Sequence, residues 1–120
     1  MKSILIVDDE ESLLSIIADY LTMWGEDFRL MTATNGKKAI EIMESAPSID
    51  LMITDLKMPV MSGEELIRYM EERHPATPVI VMSGHTDPIT VEKINRNKPY
   101  RYIEKPFLFE DLGHMVRGLI

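Results

Sequence analysis

The 120-residue sequence predicts an α/β domain in which five parallel strands alternate with five helices. Short apolar runs recur along the chain, and segments with apolar residues at helical spacing separate them. The joining loops are short and contain the Gly, Pro, Asn and Asp residues that are typical of turns and helix caps. Because each strand–helix–strand unit lays a helix against the sheet, we expect a parallel sheet that is covered on both faces.

Composition and charge limit the classes of function. Hydrophobic residues make up 45% of the chain, enough for one domain, residues 1–120, with its own core. The net charge of -7 argues against nucleic-acid and membrane binding, and the absence of cysteine excludes disulfides, thiolate metal sites and cysteine nucleophiles. No apolar run approaches the roughly 20 residues of a membrane span, and none has the length of a signal peptide. We therefore expect a cytoplasmic domain.

The first strand and helix are predicted at the start of the chain. Residues 3–7 are apolar and rich in β-branched side chains, which indicates a strand buried on both faces. The acidic run of residues 8–11 follows, and apolar residues then recur at helical spacing as far as Trp24, before Gly25 ends the helix. Taken alone, the acidic run favours a helix cap and first turn. A cap does not, however, require two adjacent aspartates.

The middle of the chain continues the alternation. Residues 28–33 are more polar and predict an edge strand. Residues 34–36 form a turn and cap, and the second helix ends before Pro47. Residues 49–55 predict a buried third strand, and the proline and Ser-Gly pair within residues 59–63 indicate a loop.

The second half of the sequence predicts two more strands and three helices. A helix over residues 64–73 precedes a fourth strand over residues 78–82. Asp87-Pro88 places a cap before a proline at the first helical position and predicts a short fourth helix. A fifth strand over residues 100–104 and a last helix from about residue 109 complete the pattern.

Four of the five predicted strands end in polar side chains that could take part in a reaction. They are Asp8-Asp9, Asp55, Ser83 and Lys105. The carboxyl ends of parallel strands lie at one edge of the sheet, so these side chains are expected to converge. Adjacent carboxylates repel each other unless a cation lies among them, and oxygen ligands suit Mg²⁺. A lysine and a hydroxyl suit phosphoryl oxygens. The pattern therefore predicts phosphoryl transfer onto a carboxylate.

Five stretches in order match one known family: ILIVDDE at 4–10, ATNG at 33–36, DLKMPVMSG at 55–63, VMSG at 81–84 and YIEKPF at 102–107. The sequence thereby resembles the receiver domain of two-component response regulators over essentially its whole length. Each stretch alone is weakly specific, whereas all five in order are highly specific. The resemblance implies the flavodoxin-like strand order 2-1-3-4-5.

The resemblance also implies the roles of the acidic residues. Asp55 would be the phosphoacceptor. Asp9, Asp55 and the backbone carbonyl of Lys57 would bind Mg²⁺, and Asp8 would act through a water molecule. The peptide bond of Lys105-Pro106 is expected to be cis.

The remaining site residues are assigned on the same ground. The hydroxyl of Ser83 would meet the phosphoryl group, and Lys105 would bind a phosphoryl oxygen. Tyr102 matches the aromatic residue that moves inward on activation. Lys57 and His85 occupy the positions that tune the lifetime of the phosphoryl group, and that lifetime does not follow from the resemblance.

The resemblance implies partners rather than metabolic substrates. The phosphoryl donor would be the phosphohistidine of a sensor histidine kinase or a phosphotransfer protein. A downstream target or an output domain would respond, and a homodimer through the fourth helix, fifth strand and fifth helix is a further expected partner. The sequence departs from the family at Asn97-Lys98-Pro99, where a Gly-Ala turn is frequent. That departure concerns the predicted fourth helix and the surface that it forms with the fifth strand and fifth helix.

Two alternatives remain open at this point. A Mg²⁺-dependent phosphatase with an aspartate nucleophile would share a strand-end Asp, but it would need a second Asp where this chain has Lys57. A degenerate receiver that acts as a constitutive scaffold would usually have lost one of the key residues. A flavin or dinucleotide binder is disfavoured because the acidic run after the first strand would repel a phosphate.

Overall fold

The computed structural model describes residues 2–24, 27–45, 48–56, 58, 60–84 and 100–120. The strands are β1 (Lys2–Val7), β2 (Phe28–Ala33), β3 (Leu51–Asp55), β4 (Val79–Ser83) and β5 (Arg101–Glu104). The helices within the described residues are α1 (Glu11–Thr22), α2 (Gly36–Ser45), α3 (Gly63–Arg73) and α4 (Phe109–Leu119). The helix predicted from Asp87-Pro88 and the turn at Asn97-Lys98-Pro99 lie outside the described residues.

All neighbouring strands are parallel, and their order is β2-β1-β3-β4-β5. This confirms the predicted α/β class and the flavodoxin-like order. The polar strand β2 lies at one edge of the sheet, as its composition predicts, and β5 lies at the other. None of the helices in the described part of the chain is long and apolar enough to cross a membrane.

Alternation along the strands divides the core into two layers. Successive residues of β1 point to opposite faces, and Ile4, Leu5, Ile6 and Val7 are all fully buried. One layer lies under α1 and α4 and includes Ile4, Ile6, Leu14, Ile17, Leu21, Ile53, Ile80, Leu112 and Val116. The other lies under α2 and α3 and includes Leu5, Val7, Ala39, Met43, Met52, Leu66, Ile67, Met70 and Val81. Helices on both faces thus cover a sheet whose central strands are mainly apolar.

The start of β3 differs from the sequence-based boundary. The strand begins at Leu51 rather than at residue 49, and Asp50, just before it, is hydrogen-bonded to β1 through its side chain and its backbone. Its carboxylate Oδ2 accepts a hydrogen bond from the backbone N of Ser3 at 2.8 Å, and its own backbone N donates to the Ser3 carbonyl at 2.9 Å. These two hydrogen bonds tie the start of β3 to β1, directly before the register pair of Ile4 and Leu51.

Candidate functional site

The parallel sheet brings the predicted site residues to one edge. Asp8 follows β1, Asp55 and Ser83 are the last residues of β3 and β4, and Lys105 follows β5. The register pairs Asp55 with Met82, so Ser83 lies one residue beyond the level of Asp55. The backbone N of Lys105 donates to the Ser83 carbonyl at 2.8 Å, which joins the ends of β4 and β5.

Three carboxylates form the centre of this edge. Asp8, Asp9 and Asp55 each offer one oxygen, and these oxygens lie within 4.8 Å of one another. Asp8 is fully buried, Asp55 is half-buried and Asp9 is exposed. Within the part of the chain that the structure describes, this is the only group of three potential metal-ligating side chains. An oxygen-only set that is open on one side suits Mg²⁺, which keeps part of its water shell.

Lys105 lies among the carboxylates. Its Nζ donates to Asp8 Oδ2 at 2.7 Å and to Asp55 Oδ2 at 3.2 Å. The peptide bond between Lys105 and Pro106 is cis, as the resemblance implied. Through its two Nζ contacts, the lysine supplies the cation that adjacent carboxylates need.

The remaining carboxylate oxygens are held by backbone amides. The backbone N of Glu10 donates to Asp8 Oδ1 at 2.9 Å, and the backbone N of Leu56 donates to Asp55 Oδ1 at 2.8 Å. The acidic run is therefore not a side-chain cap of α1, because the capping residue Glu10 makes no side-chain hydrogen bond there. Its first member, Asp8, instead faces the site.

Burial and neighbouring charges shift the pKa values of Asp55 and Lys105, and both values are raised. Desolvation raises the pKa of Asp55 above its ordinary value; attraction by Lys105 works against this, and the charge of Asp8 adds to it. Burial alone would lower the pKa of Lys105, but the hydrogen bond to Asp8 and the charges of Asp55 and Asp8 more than offset this, so the pKa is raised. Lys105 therefore stays cationic at neutral pH.

The backbone behind Asp55 is closely packed. A Cβ atom at Gly63, the first residue of α3, would overlap the Asp55 carbonyl oxygen and lie 2.7 Å from the Cα of Leu56. The backbone N of Gly63 donates to the Leu56 carbonyl at 2.9 Å. The hydroxyl of Ser62 caps α3 by accepting from the backbone N of Glu65 at 3.2 Å. The Ser62-Gly63 pair, which indicated a loop in the sequence, therefore also marks the place where α3 closely approaches the end of β3.

The loop after β3 holds a strained residue. Val60 has φ of 70°, a left-handed conformation that is costly for a β-branched side chain. Its side chain is 76% exposed, so burial does not compensate for this cost. Strained residues of this kind cluster at functional sites, and Val60 lies five positions after Asp55.

Of the three other predicted site residues, the structure describes Tyr102. Tyr102 lies in β5 beside Val81 and is partly buried against the layer under α2 and α3, and this burial raises its pKa. Lys57 and His85 lie outside the described residues. No sequence pattern indicates the hydrogen bond from the Leu56 backbone N to the Asp55 carboxylate, because that contact depends on local backbone geometry.

The chain is similar to known proteins over nearly its whole length. The family model described as "Response regulator receiver domain" matches residues 4–117. The chain is 37% identical over 119 residues to the sensor histidine kinase TmoS of Ectopseudomonas mendocina, covering 98% of this chain and 12% of that protein. It is 29% identical over 115 residues to the DNA-binding transcriptional regulator NtrC of Escherichia coli K12, covering 96% of this chain and 24% of NtrC.

Solved structures give the same result. The crystal structure of a response regulator receiver domain protein from Clostridium thermocellum superposes with a TM-score of 0.87 at 30% identity. The match covers 100% of this chain and 94% of that one. The family model, the strand order and the acidic edge agree over nearly the whole chain, and the chain therefore belongs to the family of response regulator receiver domains.

Proposed function

We propose that this receiver domain accepts a phosphoryl group from a phosphohistidine onto Asp55 and thereby switches an interaction surface. The observation that supports this most directly is the position of Asp55 among Asp8, Asp9 and Lys105 at one edge of the sheet. The donor would be a sensor histidine kinase or a phosphotransfer protein. The domain would act in the cytoplasm and without contact to nucleic acid or membrane.

The transfer uses one oxygen of the Asp55 carboxylate as the nucleophile. That oxygen forms a bond to phosphorus, the bond from phosphorus to the histidine nitrogen breaks, and the electron pair returns to the imidazole. Burial raises the pKa of Asp55, and the nearby charge of Lys105 opposes that shift and favours the ionised, nucleophilic form. Lys105 would then bind an oxygen of the phosphoryl group on Asp55, because its Nζ already lies 3.2 Å from Asp55 Oδ2.

The carboxylates fit a resident Mg²⁺. Asp9, Asp55 and the Lys57 carbonyl would hold it directly, and Asp8 would hold it through water. When bound, Mg²⁺ neutralises negative charge on the transferred group. The outer role proposed for Asp8 is supported by its full burial and by the hydrogen bonds that both of its oxygens already accept.

Neither alternative gains support. A phosphatase with an aspartate nucleophile needs a general acid two residues after Asp55, and that residue is Lys57. A degenerate scaffold is disfavoured because the acidic group, the strand-end hydroxyl of Ser83 and Lys105 are all present. Receiver domains are signalling domains rather than metabolic enzymes, and we propose that this one catalyses only its own phosphorylation and dephosphorylation. Lys57 and His85 as tuners of the phosphoryl lifetime stay a prediction.

Removing divalent metal is expected to stop phosphorylation. Without a metal, a phosphoryl donor meets three carboxylates, and Lys105 is the cation that pairs with two of them among the described residues. The purified domain is incubated with acetyl phosphate in Mg²⁺ or in EDTA, and the intact mass is measured. One added phosphoryl group in Mg²⁺, none in EDTA, and recovery when excess Mg²⁺ is returned are the expected results. Equal labelling in EDTA would exclude a metal-dependent transfer.

The switch would connect Ser83 to Tyr102. The Ser83 hydroxyl would donate to a phosphoryl oxygen once the loop after β4 moves toward Asp55. Space vacated by that movement would let Tyr102, which is already partly buried, pack further inward and change the face around β5. A target, an output domain or a second copy of the chain would recognise that face. The chain spans only 12% of the length of TmoS and 24% of NtrC, so the output is proposed to lie in another part of the protein or in a partner.

Ser83→Ala is expected to separate phosphorylation from the response. A charge-assisted hydrogen bond contributes about 1.5–3 kcal/mol, which corresponds to a population shift of roughly 10- to 150-fold. The variant should still acquire one phosphoryl group but show a weaker change in the NMR signals of Tyr102 with beryllofluoride, a phosphoryl mimic. The parent protein with and without the mimic is the control. Full Asp55 occupancy without any Tyr102 change in the parent would refute the coupling.

A further inference from the structure

A single peptide unit links a buried hydroxyl to the carboxylate of Asp55. The carbonyl of Asp55 and the N–H of Leu56 belong to the same planar group. The carbonyl oxygen accepts a hydrogen bond from Thr54 Oγ1 at 2.9 Å, and the N–H donates to Asp55 Oδ1 at 2.8 Å. Rotation of this plane would therefore move both hydrogen bonds together.

The hydroxyl of Thr54 lies where water cannot replace it. Thr54 is fully buried in the central strand of the sheet, with Val7 of β1 and Val81 of β4 as its register neighbours. Its side chain lies on the opposite face of the sheet from that of Asp55, because adjacent residues of a strand alternate. Thr54 would thus contact neither a phosphoryl group on Asp55 nor a metal beside it.

We propose that Thr54 is a positioning residue for the phosphorylation of Asp55, acting through the Asp55–Leu56 peptide unit. Its hydroxyl fixes the tilt of that plane, and the Leu56 N–H fixes the rotation of the carboxylate. The hydrogen bond to the carbonyl also polarises the peptide and strengthens the bond that its N–H donates. One carboxylate oxygen is thereby held by the backbone, and the other remains toward Lys105. The claim rests on the proposed function, because it concerns the same nucleophile.

Thr54→Val tests the proposal, because valine keeps the branched shape and lacks the hydroxyl. Thr54→Ser restores the hydroxyl without the methyl group. Thr77→Val is the matched control, since Thr77 Oγ1 also donates to a backbone carbonyl, that of Ile49 at 3.4 Å, but lies before the amino end of β4. The maximal rate and half-saturating concentration of acetyl phosphate are measured for each, together with the Leu56 amide proton shift in the unphosphorylated protein.

Thr54→Val should lower the maximal rate by about three- to tenfold, the range expected for one lost hydrogen bond. The half-saturating donor concentration should not change, and the Leu56 amide proton should move upfield as its hydrogen bond weakens. Thr54→Ser should recover both values, and Thr77→Val should match the parent in both. A merely structural role would lower thermal stability without a selective effect on the Leu56 amide.

Three results would each overturn the proposal: an unshifted Leu56 amide in Thr54→Val, an unchanged maximal rate in that variant, or a Thr54→Ser variant as slow as Thr54→Val. Failure of the proposed function is distinguishable, because it would appear as a parent protein that acquires no phosphoryl group. The amide shift is measured without phosphorylation, so in that case it still decides whether Thr54 orients the carboxylate.

Discussion

Asp55→Asn is expected to abolish phosphorylation and, at the same time, to stabilise the metal-free domain. An amide cannot form the acyl phosphate, so acetyl phosphate should add no mass to the variant in the presence of Mg²⁺. The side chain keeps its shape, and its carbonyl oxygen can still accept from the backbone N of Leu56. Loss of labelling would thus reflect lost chemistry rather than a lost fold.

The stability gain follows from the direction of the Asp55 pKa. Desolvation, only partly opposed by Lys105, raises this pKa in the folded protein above its ordinary value of 3.8. The folded state therefore binds the proton more tightly than the unfolded state, and the stability that the protonated group contributes is lost as pH rises from about 3.8 through the raised pKa. At neutral pH the ionised Asp55 costs stability, and asparagine removes that cost.

Thermal unfolding in EDTA at several pH values provides the check. At pH values above the raised pKa of Asp55, the variant should melt at a higher temperature than the parent. The difference in melting temperature should shrink as the pH falls toward 3.8. Added Mg²⁺ should stabilise the parent more than the variant, because one of the three carboxylates is lost. Stoichiometric labelling of Asp55→Asn would show that another residue is the phosphoacceptor.

The sheet was predictable because its strands are buried on both faces and leave uninterrupted apolar runs. In β1, all residues from Ile4 to Val7 are fully buried, so no polar residue interrupts the pattern. Exact strand ends were less predictable, because hydrogen-bonding partners that are distant in sequence set them. The two hydrogen bonds between Asp50 and Ser3, 47 residues apart, lie directly before β3, and no local pattern indicates them.

The site was predictable as a group of strand ends but not as a set of contacts. Parallel topology alone places Asp8, Asp55 and Lys105 at one edge. It does not specify that Lys105, 97 residues from Asp8, contacts both carboxylates, or that the Thr54 hydroxyl turns toward the Asp55 carbonyl. Such contacts depend on rotamers and on sub-ångström backbone positions, which residue types and spacing do not encode.

Gly63→Ala is expected to be strongly destabilising, because the added Cβ would overlap backbone atoms that cannot turn away. The nearest atoms are the carbonyl oxygen and carbon of Asp55 and the Cα of Leu56. Relief therefore requires α3 to move away from the end of β3, which breaks the hydrogen bond from the Gly63 backbone N to the Leu56 carbonyl. Overpacking against backbone costs about 3 kcal/mol, or roughly 10 °C in melting temperature for a domain of this size.

Gly118→Ala is the matched control, because a Cβ there has no atom within 4 Å and lies in α4. That variant should melt at the parent's temperature or slightly above, since alanine favours a helix over glycine by about 0.5–1 kcal/mol. Gly63→Ala should also slow the phosphorylation of the molecules that remain folded, because the displaced Asp55 carbonyl carries the peptide unit that orients the carboxylate. Equal melting temperatures for the two variants would mean that α3 does not lie against the end of β3 as closely as the structure places it.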